Sequence, residues 1–198
     1  MLQGKCRYCQ DRISVQYPLV ELTTATLFGL SYFTWDKTID YWQLTLAIWL
    51  ITLTWLIVLA VIDYKTKTLP YKITLPLLVF QFLSVVVLWQ LQVITIGDRL
   101  LAVAIFAGVF ALLWLVSGGK WVGDGDIPLL AVMALQLGLL GTFLAIFIGS
   151  SVGSIMAISL ILANKRSRSE TLAFGPLLII GTIIVVLVDF DFANNLLL

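Results

Sequence analysis

The 198-residue sequence contains no histidine, and only 12% of its residues are charged. Without histidine there is no Ser-His-Asp or Cys-His nucleophilic machinery and no histidine-bound metal. Any hydrolytic chemistry must therefore use carboxylates, Lys, Tyr, Ser, Thr or the two cysteines. The scarcity of charge is equally restrictive. A soluble domain is about 25% charged and about 45–50% apolar, whereas this chain is 61% hydrophobic with a mean hydropathy of +1.05. No polar coat is left to cover a water-soluble globule. The expected fold class is an all-α integral membrane protein.

A helix crosses a bilayer with about 20 apolar residues. Residues 17–34 form such a run with a single charge, Glu21, and uncharged runs follow at 42–62, 73–96 and 100–116. Residues 127–163 are too long for one crossing and divide at Gly138-Leu-Leu-Gly141, where glycine frees a turn; residues 171–188 make the last run. Seven transmembrane helices are predicted, with residues 1–16 a short cytoplasmic segment bearing the cysteines and 17–198 one membrane domain. A Gly97-Asp98-Arg99 turn is expected between the third and fourth spans. With the N-terminus cytoplasmic, the inside segments hold Lys5, Arg7, Arg12, Lys65, Lys67, Lys72, Lys120, Lys165, Arg166 and Arg168, leaving only Lys37 and Arg99 outside. The positive-inside rule favours this arrangement, with an extracytoplasmic C-terminus. Asp36, Asp40, Asp98, Asp189 and Asp191 would then form a solvated acidic rim outside. The polar, basic N-terminal stretch does not read as a signal peptide.

This topology puts two acids at one membrane face, Asp63 at the end of the second span and Asp126 at the start of the fifth. An acid at the hydrocarbon border is costly unless it is paired or faces a wet cavity. Pairing with Lys65, Lys67 or Lys120 would make both acids ordinary interfacial groups. Gly118, Gly119, Gly123 and Gly125 suggest more, because they admit unusual dihedrals and close approach by another chain. Irregular backbone at membrane depth is tolerated where it lines a cavity or packs on protein. Two facing carboxylates would share a proton and titrate as a pair. One could activate water while the other hydrogen-bonds a peptide carbonyl, which is peptidase chemistry without histidine.

Asp63 with Leu69-Pro70, Gly123-Asp-Gly-Asp126, and Ala173-Phe174-Gly175-Pro176 together resemble the type IV prepilin leader peptidases, aspartic peptidases of the GxGD class. Gly4-Lys-Cys6-Arg-Tyr-Cys9, Ile13-Ser and Tyr17-Pro-Leu-Val-Glu21-Leu resemble the cysteine region of the same family. The resemblance implies removal of the basic leader from type IV prepilins or pseudopilins at the cytoplasmic face, after a glycine. It implies that Asp63 and Asp126 are the catalytic pair, with Gly123, Gly125, Gly175 and Pro176 shaping the loops or the substrate site. Asp124, at the variable position of GxGD, is the lesser candidate for the second acid. Pro128 departs from the family pattern, which usually has Lys there.

Many family members also methylate the new pilin amine with S-adenosylmethionine, through a longer region with two CxxC pairs. Cys6 and Cys9 look like the second pair, which is half of an all-cysteine zinc site. The pair is completed by another chain, left vestigial, or simply two reduced thiols; a cytoplasmic disulfide is not expected. Proteolysis needs no cofactor, and methyl transfer is not assigned to these residues. Glu21 is read as structural, snorkelling or pairing with Arg12. The tryptophans mostly suit lipid-facing or interfacial positions, with Trp121 anchoring the glycine loop. The basic 164–170 loop sets topology beside anionic lipid and lacks the aromatic platform a nucleic acid would need. The expected partners are prepilins or pseudopilins and the bilayer. A transporter or channel subunit with interfacial acids is the competing reading, but its ionisable groups should lie near the midplane. An inactive paralogue acting as an assembly component should lack one of the acids.

Overall fold

The computed structural model describes residues 14–162 and 174–188, and every regular element among them is a helix. The helices are α1 (Gln16–Thr34), α2 (Trp42–Thr66), α3 (Tyr71–Gln90), α4 (Ile96–Ser117), α5 (Asp126–Leu162) and α6 (Gly175–Leu187). Four of them, α2 to α5, are long and apolar enough to cross a membrane; α6 is apolar but shorter. Helix α1 covers the first apolar run but, carrying Glu21 and several Thr and Ser residues, is not one of these four. The chain is an integral membrane protein of packed helices, as the composition requires.

The third apolar run ends earlier than expected. Helix α3 stops at Gln90, Leu91 returns its N–H to the Val87 carbonyl, and Gln92 turns the chain with φ +60. Gly97, Asp98 and Arg99 therefore belong to the first turn of α4. A left-handed residue at a helix end is usually Gly or Asn, so a glutamine there left no signal in the sequence. Within α4 a π-turn spans Val103–Ala107, and no residue from Gly108 to Ser117 is buried.

Helix α5 breaks at Gly138 (φ 73, ψ −168), where the sequence pattern divides it. The Thr142 hydroxyl lies 2.6 Å from the Gly138 carbonyl and 3.5 Å from that of Met133. Residues four beyond and five before the break thus meet, and the limbs 126–137 and 139–162 fold back on each other. Limb 139–162 runs antiparallel to α6 at backbone distance. A Cβ on Gly149 would sit 2.5 Å from the Leu177 carbonyl oxygen, and one on Gly181 would collide with the Ala145 carbonyl.

Breaking a helix in an apolar interior orphans the carbonyls of one limb and the N–H groups of the next. Here α4 supplies partners. Arg99 donates to the Gln136 carbonyl at 2.8 Å, and the Asp98 carboxylate accepts the Leu139 N–H at 3.2 Å. This corrects the expectation for Asp98: it is not a solvated rim acid, and Arg99 is not a loop cation. Their side chains are only 24% and 15% exposed. The polar run continues inward, with Gln81 donating to the Gln136 side chain at 2.7 Å and accepting from Thr52 at 3.0 Å. Around it packs an apolar core that includes Leu53, Leu56, Leu59, Leu77, Leu129, Leu130, Met133 and Leu178. Trp49 departs from the interfacial expectation: it is fully buried and donates its indole N–H to Ser31 at 2.9 Å.

Candidate functional site

Asp63 lies one turn from the end of α2 and is 5% exposed. The helix closes at Lys67 (φ 53), whose N–H returns to the Asp63 carbonyl, and Leu69-Pro70 then leads into α3. On the other side, α4 ends at Gly118 and Gly119, with φ of +60 and +77. Only glycine takes such dihedrals freely, so the chain can turn twice before the Gly123-Asp-Gly-Asp126 segment. The Gly123 carbonyl accepts the Asp126 N–H at 3.2 Å, and a Cβ on Gly123 would lie 3.3 Å from Asp126 Oδ2. In the same way Gly175, at the start of α6, lies directly against the Asp63 carboxylate. Each acid thus lies against a glycine.

Leu69 joins the two halves. A Cβ on Gly125 would lie 2.7 Å from the Leu69 Cβ and 3.0 Å from its carbonyl oxygen. A Cβ on Gly175 would lie 2.6 Å from Asp63 Oδ2 and 3.4 Å from Leu69 Cδ1. One buried leucine therefore separates the residue before Asp126 from the residue against Asp63. Among the described residues the one ion pair is Asp98–Arg99. Neither Asp63 nor Asp126 is paired with Lys65, Lys67 or Lys120.

Asp124 is exposed, its Oδ1 accepting the Gly125 N–H at 3.0 Å and its carbonyl accepting the Tyr71 hydroxyl at 3.1 Å. Tyr71 thereby ties the glycine loop to the start of α3, a role that its place after Pro70 did not announce. Pro128 is buried in the first turn of α5, where a missing N–H costs no helix bond. Pro176 occupies the equivalent place in α6. Phe174, just before Gly175, stacks on Phe110 of α4 with ring centroids 6.5 Å apart. Glu21 is exposed. Cys6, Cys9, Arg12, the 164–170 loop, Asp189 and Asp191 lie outside the described residues. Among the described residues, no three His, Cys, Asp or Glu side chains gather as a metal site would require.

Residues 50–158, which contain both acids, match the type IV leader peptidase family. The chain belongs to that family. Residues 1–35 match the bacterial peptidase A24 N-terminal domain, so the second family match covers the cysteine pair and α1. A prepilin leader peptidase/N-methyltransferase of Aeromonas salmonicida is 37% identical over 189 residues, covering 91% of this chain and 60% of that relative. The protein of the same name from Neisseria gonorrhoeae is 34% identical over 185 residues, with coverage of 91% and 60%. A type 4 prepilin-like proteins leader peptide-processing enzyme of Escherichia coli O78:H11 is 34% identical over 188 residues, with coverage of 92% and 65%. The chain spans about three fifths of the length of these first relatives. No solved structure matches it.

Proposed function

We propose that this leader peptidase family member is an intramembrane aspartic endopeptidase that removes the basic leader from type IV prepilins or pseudopilins, with Asp63 and Asp126 as its catalytic pair. The observation that carries the reading is that Leu69 brings together the two distant segments that bear the acids, packing against Gly125 beside Asp126 and against Gly175 beside Asp63, with neither acid neutralised by a described lysine. Family membership and the names of the relatives supply the substrate class.

In this mechanism the two carboxyl groups share one proton. The ionised member takes a proton from water as the water oxygen bonds to the peptide carbonyl carbon. The protonated member hydrogen-bonds the carbonyl oxygen and stabilises the charge that develops there. The pair then delivers a proton to the amide nitrogen, the C–N bond breaks, and a leader carboxylate and a new pilin amine result. Gly123, Gly125, Gly175 and Pro176 let the elements around the acids approach closely and hold them in register.

The charge distribution supports seven crossings, the two limbs of α5 counting separately, with the acids at the cytoplasmic face, and family membership supports the cell (inner) membrane as the location. The relatives' names add N-methyl transfer. It is not assigned to this chain, and a zinc site at Cys6 and Cys9 would need two more ligands.

The test is co-expression with a prepilin, following leader loss by gel shift. Asp63→Asn and Asp126→Asn keep size and polarity but remove the ionisable group, so each should slow cleavage by at least about 10²–10⁴-fold with normal membrane insertion. Asp124→Asn should cleave normally. Wild-type cleavage by either of the first two, or its loss in the third alone, overturns the assignment.

A further inference from the structure

On the outer side of the α1–α2–α6 packing runs an apolar groove of about 460 Å³. Its floor on α2 is Ile57, Ala60, Val61 and Tyr64, the i, i+3, i+4, i+7 stripe of one helix face. Leu19 and Leu27 of α1 form one wall, and Pro176 and Ile183 of α6 form the other. The groove is amphipathic along its length. At one end lie Gln16, the Tyr64 ring and Lys65, the only charged side chain among the described residues of the lining; the rest of these are almost wholly aliphatic.

We infer that this groove binds an anionic phospholipid, one acyl chain lying between α1 and α6 and the phosphate meeting Lys65. Three candidate occupants fit less well. A substrate helix would lie to one side of the acids, because Asp63 is roughly 110° around α2 from the middle of the stripe at 3.6 residues per turn. The chain before α1 is rich in charge (Lys5, Arg7, Asp11, Arg12) and does not match an aliphatic bed. The residues after α6 leave from its far end, at Leu187, whereas the groove uses Pro176–Ile183. A second copy docked symmetrically on this face would set its own Lys65 at the same end, like charge against like. A phospholipid supplies both an apolar chain and a negative head at the right end, and a membrane supplies it in excess. Bound there, it would tie α1 to α2 and α6.

Native mass spectrometry of the full chain in detergent, with phosphatidylglycerol or phosphatidylcholine of identical acyl chains, tests the inference directly. Phosphatidylglycerol adducts should exceed phosphatidylcholine adducts by about five-fold, the scale of one basic residue against an anionic head. Lys65→Glu should abolish the preference, and Ala60→Trp, which fills the floor, should lower both adducts. A photoactivatable acyl chain on phosphatidylglycerol should label α1, α2 and α6. Equal retention of the two lipids, a preference that survives Lys65→Glu, or labelling confined to other helices overturns the proposal. If Ala60→Trp fails to insert, the Lys65→Glu comparison decides alone. Cross-linking of a prepilin helix to a probe at Ile180 would also overturn it, whatever the state of the two acids.

Discussion

Replacing Gly175 with alanine is the sharpest probe of the site geometry, because it separates positioning from folding. The added methyl would sit 2.6 Å from Asp63 Oδ2 and 3.2 Å from its Cγ, with Leu69 Cδ1 at 3.4 Å behind. The nearest atom is the end of a short side chain, so the carboxylate gives way and the backbone need not. Restoring ordinary contact moves that oxygen by nearly 1 Å. A misplacement of about 1 Å can cost on the order of 10²-fold in rate. The helix itself loses nothing, since alanine is a better helix former than glycine. Gly175→Ala should therefore insert and melt like the wild type while cleaving a prepilin about 10²-fold more slowly, with the loss in kcat rather than KM. The assay is in-detergent cleavage of a purified prepilin beside a thermal melt of the same preparation. Gly29 and Gly108 have nothing within 4 Å of an added Cβ, so their alanine variants serve as controls with normal cleavage. Cleavage by Gly175→Ala within two-fold of these controls would refute the reasoning.

Other perturbations address the remaining parts. Asp98→Ala removes the acceptor from the Leu139 N–H at the α5 break and should cost about 1–3 kcal/mol, seen as a fall of several degrees in Tm. Gly138→Ala meets both a left-handed backbone and the Asp98 carboxylate, so it should destabilise at least as much, by about 1–2 kcal/mol from handedness alone. Tyr71→Phe deletes the hydroxyl that holds the Asp124 carbonyl; a loss of about 0.5–1.5 kcal/mol should loosen the glycine loop and lower kcat a few-fold, without moving the cleavage point determined by mass spectrometry. In the loop after α1, the Thr38 hydroxyl and then its backbone N–H hold the Asp36 carboxyl below its ordinary value. The stability this gives is present above the unfolded carboxyl's pKa and is lost as pH falls through the folded one. Thr38→Ala should move the Asp36 titration upward in a ¹³C NMR experiment.

Much of the architecture was legible because a bilayer writes helices as charge-free runs. The two acids stood out against those runs, and the glycines around Asp126 marked where another chain could come close. Gly138 marked the fold-back of α5, since glycine alone readily takes the φ that the break needs. The turn at Gln92 was not legible. A glutamine in the left-handed region is set by packing, and Gly97 five residues on gave the stronger false signal. Asp98 and Arg99 were misread for a related reason. Positioned beside an apparent turn, they look solvated, but their partners are backbone groups of a helix some 40 residues away, and no local pattern encodes that pairing. Trp49 reads like any membrane-interface tryptophan until Ser31 is seen to take its N–H. Leu69 stood out only as part of the Leu69-Pro70 resemblance: an apolar residue in an apolar chain carries no mark of packing between Gly125 and Gly175.

The two ends of the first limb of α5 have opposite electrostatic solutions. At Gly138 the broken helix is closed off, with the Gln136 carbonyl and the Leu139 N–H both bonded by α4 and the inward polar run carried through Gln81 to Thr52. No titratable group in that network is left to react. At the other end, Leu69 packs between Gly125, the residue before Asp126, and Gly175, the residue against Asp63, and neither acid has a cation partner among the described residues. An acid so placed is expensive. Chemistry is therefore expected where the polar groups remain under-compensated, and rigidity where they are satisfied. The distinction separates two kinds of variant: neutralising Asp98 should lower stability and leave the pH profile of cleavage unchanged in shape. Neutralising Asp63 or Asp126 should abolish the two-inflection profile of the coupled pair while the fold persists.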